Sequence, residues 1–195
     1  MRKITINLAA VAAFCIVVAS PALVSSSCAT PKTEQEDTTI IREDSGITAL
    51  KYSSPEVPAS IEFCGKTIDL SRFDRHERMD RELLAFTYMH STSLQMLKKA
   101  NRYFPIVEPI LKENGIPDDF KYLMVIESNM NPTARSSAGA AGLWQFMQGT
   151  GRDYGLEVNN NVDERYHIEK ATRAACRYLK DAYAKYKDWV AVAAS

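Results

Sequence analysis

The chain of 195 residues is short of several things, and each shortage excludes something. It has only 3 histidines and 4 cysteines. His76, His90 and His167 stand at no metal-ligand spacing from one another or from a cysteine, so no zinc-type site is expected. The Asn159-Asn160-Asn161 stretch lacks the acidic ladder and glycine of a calcium loop. No excess of one charge exists either: 24 basic residues balance 24 acidic ones. That balance leaves no footprint of a dedicated nucleic-acid binder. No internal repeat is visible, and no alternation of strand and helix patterns. The apolar run Ile4–Ala19 is shorter than the roughly 20 residues of a membrane-spanning helix. The expectation is a protein with no metal, no cofactor and no nucleic-acid partner.

The N-terminus carries a different kind of signal. Arg2 and Lys3 precede the apolar run, and small residues follow from Ser25 to Cys28. That order reads as a secretory leader over residues 1–27, with an uncleaved N-terminal anchor as the rival. Export to the periplasm or cell envelope follows. Cys28, just after small residues, resembles the acceptor of bacterial lipoproteins, which would attach the mature chain to a membrane, the outer membrane included, through lipid. Ser25 stands where that pattern wants Leu, so ordinary cleavage with Cys28 incidental stays open. Residues 28–60 are rich in Thr, Ser, Glu, Asp and Pro, too poor in apolar surface to offset the entropy of ordering, and read as a disordered tether. Cys64 and Cys176 remain; their pairing cannot be assigned from spacing. Cys176, inside a helical pattern, reads as a small buried hydrophobe.

Residues 61–195 should fold as one nearly all-α domain. Ile61–Leu70 alternates apolar and polar residues around Gly65, which predicts a small β-hairpin. From Arg72 the period becomes helical, with Leu83, Leu84, Tyr88, Leu94 and Leu97 on one face. Pro105 and Pro109 punctuate the next segment, and Asn114-Gly-Ile-Pro117 is a stop signal. Pro117-Asp-Asp opens another helix, its acids suited to a positive N-terminal end. Gly142–Tyr154 is a further candidate helix, and a long one runs from about His167 to Tyr186.

Within Lys121-Tyr-Leu-Met-Val-Ile-Glu-Ser-Asn-Met-Asn-Pro132 a carboxylate follows a run of bulky apolar residues. Phe120, Leu123, Met124 and Glu127 share a helix face, and Tyr122, Val125 and Ile126 make most of the remaining surface apolar. Such a helix is a buried one. Desolvation disfavours the ionised carboxyl, and a glutamate that keeps its proton can act as a general acid. The plain alternative is a helix-end Glu pointing into water.

The residues that follow resemble the signature of the lytic transglycosylases, the lysozyme-like enzymes that cleave bacterial cell-wall glycan. Glu127-Ser128, Asn131-Pro132, Ser136 and Gly139-Ala-Ala-Gly-Leu-Trp-Gln145-Phe-Met147 stand in register with it. The resemblance runs from roughly Asp69 to the C-terminus and looks closest to the membrane-bound D-type branch. It implies a lysozyme-like helical catalytic domain over 61–195, acting on peptidoglycan glycan strands. It also implies that Glu127 is acid and then base, with Ser128, Gln145 and Met147 lining the substrate cleft. Gly139 and Gly142 allow tight turns and close backbone approach; Trp144 and Phe146 offer apolar surface either to sugars or to the core. Pro132 is expected to break the helix just past the carboxylate.

Most glycosidases use two carboxylates. The acids around Glu127, namely Asp118, Asp119 and Asp153, lie outside the motif. The resemblance implies a reaction that needs one. Glu127 protonates the oxygen linking N-acetylmuramic acid to N-acetylglucosamine. It then takes a proton from the muramyl C6 hydroxyl, which closes on C1 as a 1,6-anhydro ring. Two alternatives stay open: a goose-lysozyme-like hydrolase with Asp163 as second acid, and a non-catalytic glycan-binding or scaffold module. For Asp163 the simpler reading is a cap that starts the long helix. The sequence stops at Trp189-Val-Ala-Val-Ala-Ala-Ser195, where the family continues into Tyr-Asn-Ala-Gly and further helices, so the domain is expected to be incomplete at its C-terminus.

Overall fold

The computed structural model describes residues 55–195. The leader over 1–27, Cys28 and residues 28–54 of the tether lie outside the described residues. Helices dominate, beside one two-stranded antiparallel sheet. That is the architecture the patterning predicts.

The hairpin pairs β1 (Ser60–Phe63) with β2 (Lys66–Asp69), Phe63 facing Lys66 across the turn. Cys64 and Gly65 both have positive φ, 50° and 72°, as a two-residue turn twisted to match its strands requires. Cys64 tolerates that conformation because its N–H donates to Asp119 Oδ2 at 2.8 Å, clamping the turn to the body of the domain. Phe63 is fully buried, and Ile61 and Ile68 pack on Leu70, Met79 and Leu83.

The Leu83–Leu97 pattern does not form one helix. α1 (Phe73–Tyr88) and α2 (His90–Glu113) are separated at Met89, whose ψ of 48° leaves the helical region. Their buried faces serve different clusters. Met79 and Leu83 face the hairpin, whereas α2 buries Ala100, Tyr103, Phe104, Val107, Ile110 and Leu111 in the main core. Leu84 and Leu94 are left exposed. A straight helix presents a single stripe and could not supply both.

The prolines give a second correction. α2 runs unbroken through Pro105 and Pro109. Spaced by four, they share an exposed face, so the carbonyls freed by their missing N–H groups turn toward water. The opposite face carries the core residues. The helix stops where expected: Gly115 at φ 68° donates to the Lys112 carbonyl, and Ile116 donates to Leu111 at 3.0 Å with its side chain buried.

A 3₁₀ turn (Asp118–Tyr122) leads into α3 (Leu123–Ser128). Lys121, buried on this turn, reaches back to α2 and places its Nζ 2.6 Å from Glu108 Oε1 and 2.5 Å from Asp118 Oδ2. After a long loop come α4 (Gln148–Asp153), a 3₁₀ turn (Glu164–Tyr166), α5 (Ile168–Tyr186) and α6 (Trp189–Ala193). α5 turns Ala171, Ala174, Ala175, Cys176 and Leu179 inward: Cys176 and Leu179 join the main core with α2, while Ala174 and Ala175 pack with Phe146, Leu156 and Val158. Phe120 sits at the centre, its ring 6.4 Å from Phe63 and 5.3 Å from Trp189. Asp188 caps α6 and also pairs with Lys66 of the hairpin at 2.8 Å. Cys64 and Cys176 are both free. Burial pushes the thiols up to about 12 and about 11, and at Cys64 the Asp119 carboxylate adds to the effect.

Candidate active site

α3 is only six residues long, and its first three side chains continue the buried run that starts on the 3₁₀ turn before it. Phe120, Tyr122, Leu123, Met124 and Val125 all lie inside. Glu127 is half-buried on the last turn. No hydrogen bond or ion pair reaches its carboxyl among the described residues. Burial alone pushes the group above the ordinary glutamate value. This is the environment read from the sequence.

What ends the helix is not Pro132. Asn129 and Met130 both adopt left-handed conformations, φ 50° and 52°, three residues earlier. Their N–H groups fold back onto Val125 and Met124 at 2.8 and 3.3 Å, while Met130 is driven wholly into the core. Two successive non-glycine residues in that region are strained, and the buried Met130 side chain with these hydrogen bonds holds them. Lys99 adds a bond from α2 to the Asn129 carbonyl at 3.0 Å.

The motif loop packs directly against this helix end. Ser128 Oγ lies 2.9 Å from the Met124 carbonyl and 3.0 Å from that of Leu143, so its hydroxyl holds the loop and does not reach Glu127. The predicted helix over Gly142–Tyr154 is confined to Gln148–Asp153. Its first half is instead a tight loop, with Ala141 and Phe146 exchanging hydrogen bonds at 3.0 and 3.1 Å. Gly142 at φ 80° and Gln145 at φ 49° turn the chain between them, which a helix cannot do.

Gly142 is also pressed against its neighbour. A Cβ there would fall 1.9 Å from the Arg165 carbonyl oxygen. Gln145 Nε2 donates to Gly142 O at 2.8 Å and to Ala134 O at 3.3 Å, which uses its donors and leaves Oε1 as acceptor. Met147 is 46% exposed, whereas Phe146 is buried and Trp144 Nε1 donates to Thr172 of α5 at 3.0 Å. Of the two roles open to those aromatics, the core is the one they fill.

Asp163 caps the 3₁₀ turn, accepting from Arg165 N, while His167 caps α5. The Arg165 guanidinium grips both Asp163 oxygens, at 2.9 and 2.7 Å, and this holds the carboxyl below the ordinary aspartate range. Arg165 is a residue of this assembly that the sequence pattern does not single out. It is 1% exposed, and its Nη1 donates to the carbonyls of Gly139 and Phe146 at 2.8 and 2.9 Å. Nothing in a local Asp-Glu-Arg-Tyr pattern distinguishes such a strut from a helix cap.

Beside this assembly lies a groove of about 260 Å³ between α1, α2 and α3. Phe86, Met89, Met96, Val125, Ile126 and Asn129 line it. Ile126 directly precedes Glu127, but Glu127 and Ser128 do not themselves line the groove. No group of three or more His, Cys, Asp or Glu side chains that could hold a metal ion occurs among the described residues.

A half-buried, unpaired Glu at a helix end, with a glycine loop locked beside it, lies within the region that matches a known family. Residues 105–195 match the Transglycosylase SLT domain. The match is to that region of the chain alone. It includes the described motif loop, Glu127, Arg165 and the helices that hold them. The chain is similar to the membrane-bound lytic murein transglycosylase D of Escherichia coli K12, at 30% identity over 120 residues. The same protein of the O6:H1 strain matches equally. It is also similar to a putative tributyltin chloride resistance protein of an Alteromonas species, at 24% identity over 103 residues. The aligned part covers 61% of this chain but only 26% of the Escherichia coli relatives, and about half of the Alteromonas one.

Proposed function

We propose that the SLT-matching region cleaves peptidoglycan glycan strands without water, leaving 1,6-anhydromuramyl ends. The observation that carries this reading is the Glu127 carboxyl, desolvated and without a partner, at the end of a buried helix. A proton retained above the ordinary range suits donation to the bridging glycosidic oxygen between muramic acid and glucosamine. The carboxylate so formed then accepts the C6 hydroxyl proton as that oxygen attacks C1 of the same sugar. Attack within one molecule needs no bound water and gains from orientation already fixed in the ring.

The second acid that a hydrolase requires finds little support. Asp163 has both oxygens engaged by Arg165 and is held ionised at the cost of its freedom to bind a water. Gln145 Oε1 and the exposed Met147 thioether are the groups we assign to sugar contact, with Ser128 tying the motif loop to the helix end. Export to the cell envelope and lipid attachment at Cys28 belong to the same reading, supported by the leader-like N-terminus and by a relative described as membrane-bound.

Incubating the purified chain with isolated peptidoglycan and weighing the soluble products by mass spectrometry tests the proposal. Anhydromuramyl ends are expected. Reducing muramic acid ends would transfer the chain to the hydrolases, and bound but intact glycan would leave it a binding module.

A further inference from the structure

We propose that Arg165 is a positioning residue for glycan binding: its buried guanidinium sets the shape of the Gly139–Met147 loop, and through it the affinity of the cleft. This rests on the function proposed above.

The geometry is that of a strut with a fixed base. The base is Asp163, which takes Nε and Nη2 of Arg165 in a paired contact at 2.9 and 2.7 Å. The working end is Nη1, which bonds Gly139 O at 2.8 Å and Phe146 O at 2.9 Å. Those two carbonyls mark the beginning and the end of the loop that carries Gln145 and Met147. One nitrogen therefore fixes the span between them. The backbone of the same residue closes the third side, since Gly142 lies so near Arg165 O that no side chain fits between. Gly151 of α4 packs on the aliphatic stem, where a Cβ would be 3.4 Å from Cγ and Cδ.

From the loop the arrangement passes to the helix end. Leu143 O accepts from Ser128, the residue after Glu127. Gly142 O and Ala134 O fix the Gln145 amide nitrogen and hence where its free oxygen points. A lysine could retain the charge at 165. It has no planar fork, and one ammonium cannot hold Asp163 by two bonds and both loop carbonyls together. Burying so large a charged side chain serves no purpose that a leucine would not meet more simply, unless those four bonds are needed.

The test compares Arg165→Lys and Asp163→Asn with the unaltered chain, each in a Glu127→Gln background so that ligand is not consumed. The probe is a tetrasaccharide of alternating N-acetylglucosamine and N-acetylmuramic acid, titrated calorimetrically. We expect Arg165→Lys to weaken binding tenfold or more at unchanged stoichiometry, and Asp163→Asn to weaken it less. A residue that only keeps the domain folded would lower the number of competent sites and leave the dissociation constant of the remainder alone. That result, or unchanged binding, overturns the proposal.

Amide exchange supplies the readout that does not depend on the ligand. The Ala141 and Phe146 amides, which bond each other across the loop, should exchange faster in Arg165→Lys while α2 and α5 keep their protection. Unchanged exchange there would overturn the strut. If the tetrasaccharide fails to bind the Glu127→Gln chain at all, the glycan reading falls, and exchange alone then decides whether Arg165 holds the loop.

Discussion

At the scale of single residues, the proposed chemistry concentrates on one carboxyl group. Glu127 has burial to raise its pKa and no cation or donor to lower it. The sign of the consequence follows. The proton-donating form persists above the ordinary value of 4.5, so turnover limited by general acid should fall as pH rises through the raised value. A pH–rate profile for anhydromuramyl release checks this. Glu127→Gln should lower that release by about 100- to 10,000-fold, the usual range for a lost general acid. Stability should move the other way. A carboxyl whose folded pKa is raised costs stability once pH exceeds its unfolded pKa, so Glu127→Gln should melt higher than the parent at pH 7. The difference should vanish below about pH 4, where both states are protonated. Thermal melts at the two pH values decide it.

Asp163 has the opposite sign. Its folded pKa is depressed by Arg165, so its stabilising effect is present above the unfolded aspartate value and is lost as pH falls through the folded one.

At the scale of elements, the motif loop and α2 separate what a local pattern says from what packing allows. Gly142→Ala should destabilise the domain by about 2–5 kcal/mol, combining a strained positive φ with a clash against the Arg165 backbone. Gly139→Ala meets nothing within 4 Å and should cost only about 1 kcal/mol or so for its positive φ. Chemical denaturation of the pair measures the contrast, and equal losses would mean the close approach is not rigid. In α2 the expectation is a gain. Pro109 sits on the exposed face inside a 24-residue helix, so Pro109→Ala should add up to about 3 kcal/mol by restoring a backbone N–H. Urea unfolding monitored by helix signal checks it.

At the scale of the whole domain, Phe120 joins parts that are far apart in sequence. Its ring touches Phe63 of the hairpin and Trp189 of α6, and Trp189 stacks on Tyr183 of α5 at 4.2 Å. Two carboxylates reinforce the same junction, Asp119 at the hairpin turn and Asp188 at Lys66. Phe120→Ala should therefore cost about 3–5 kcal/mol and loosen hairpin and α6 together. Amide exchange in both segments would show it, and loss confined to one would mean they dock independently. The hairpin thus braces the 3₁₀ turn that launches the Glu127 helix.

Sequence alone determined the helical class, the hairpin with its Gly65 turn, the stop at Gly115, the buried helix ending in Glu127, and the candidate chemistry of that residue. Each of these is written in local periodicity, in turn residues or in a run of contiguous motif positions. Only the tertiary structure decided the break at Met89, the passage of α2 through two prolines, the loop in place of a helix after Gly142, and the strut formed by Arg165. In each case the deciding partner lies in another element: a second core cluster, an outward helix face, a backbone pressed close, two carbonyls some twenty residues away. Contacts between distant segments leave no periodic trace in the chain that makes them, which is why the residue that grips the motif loop looked like an ordinary member of a helix cap.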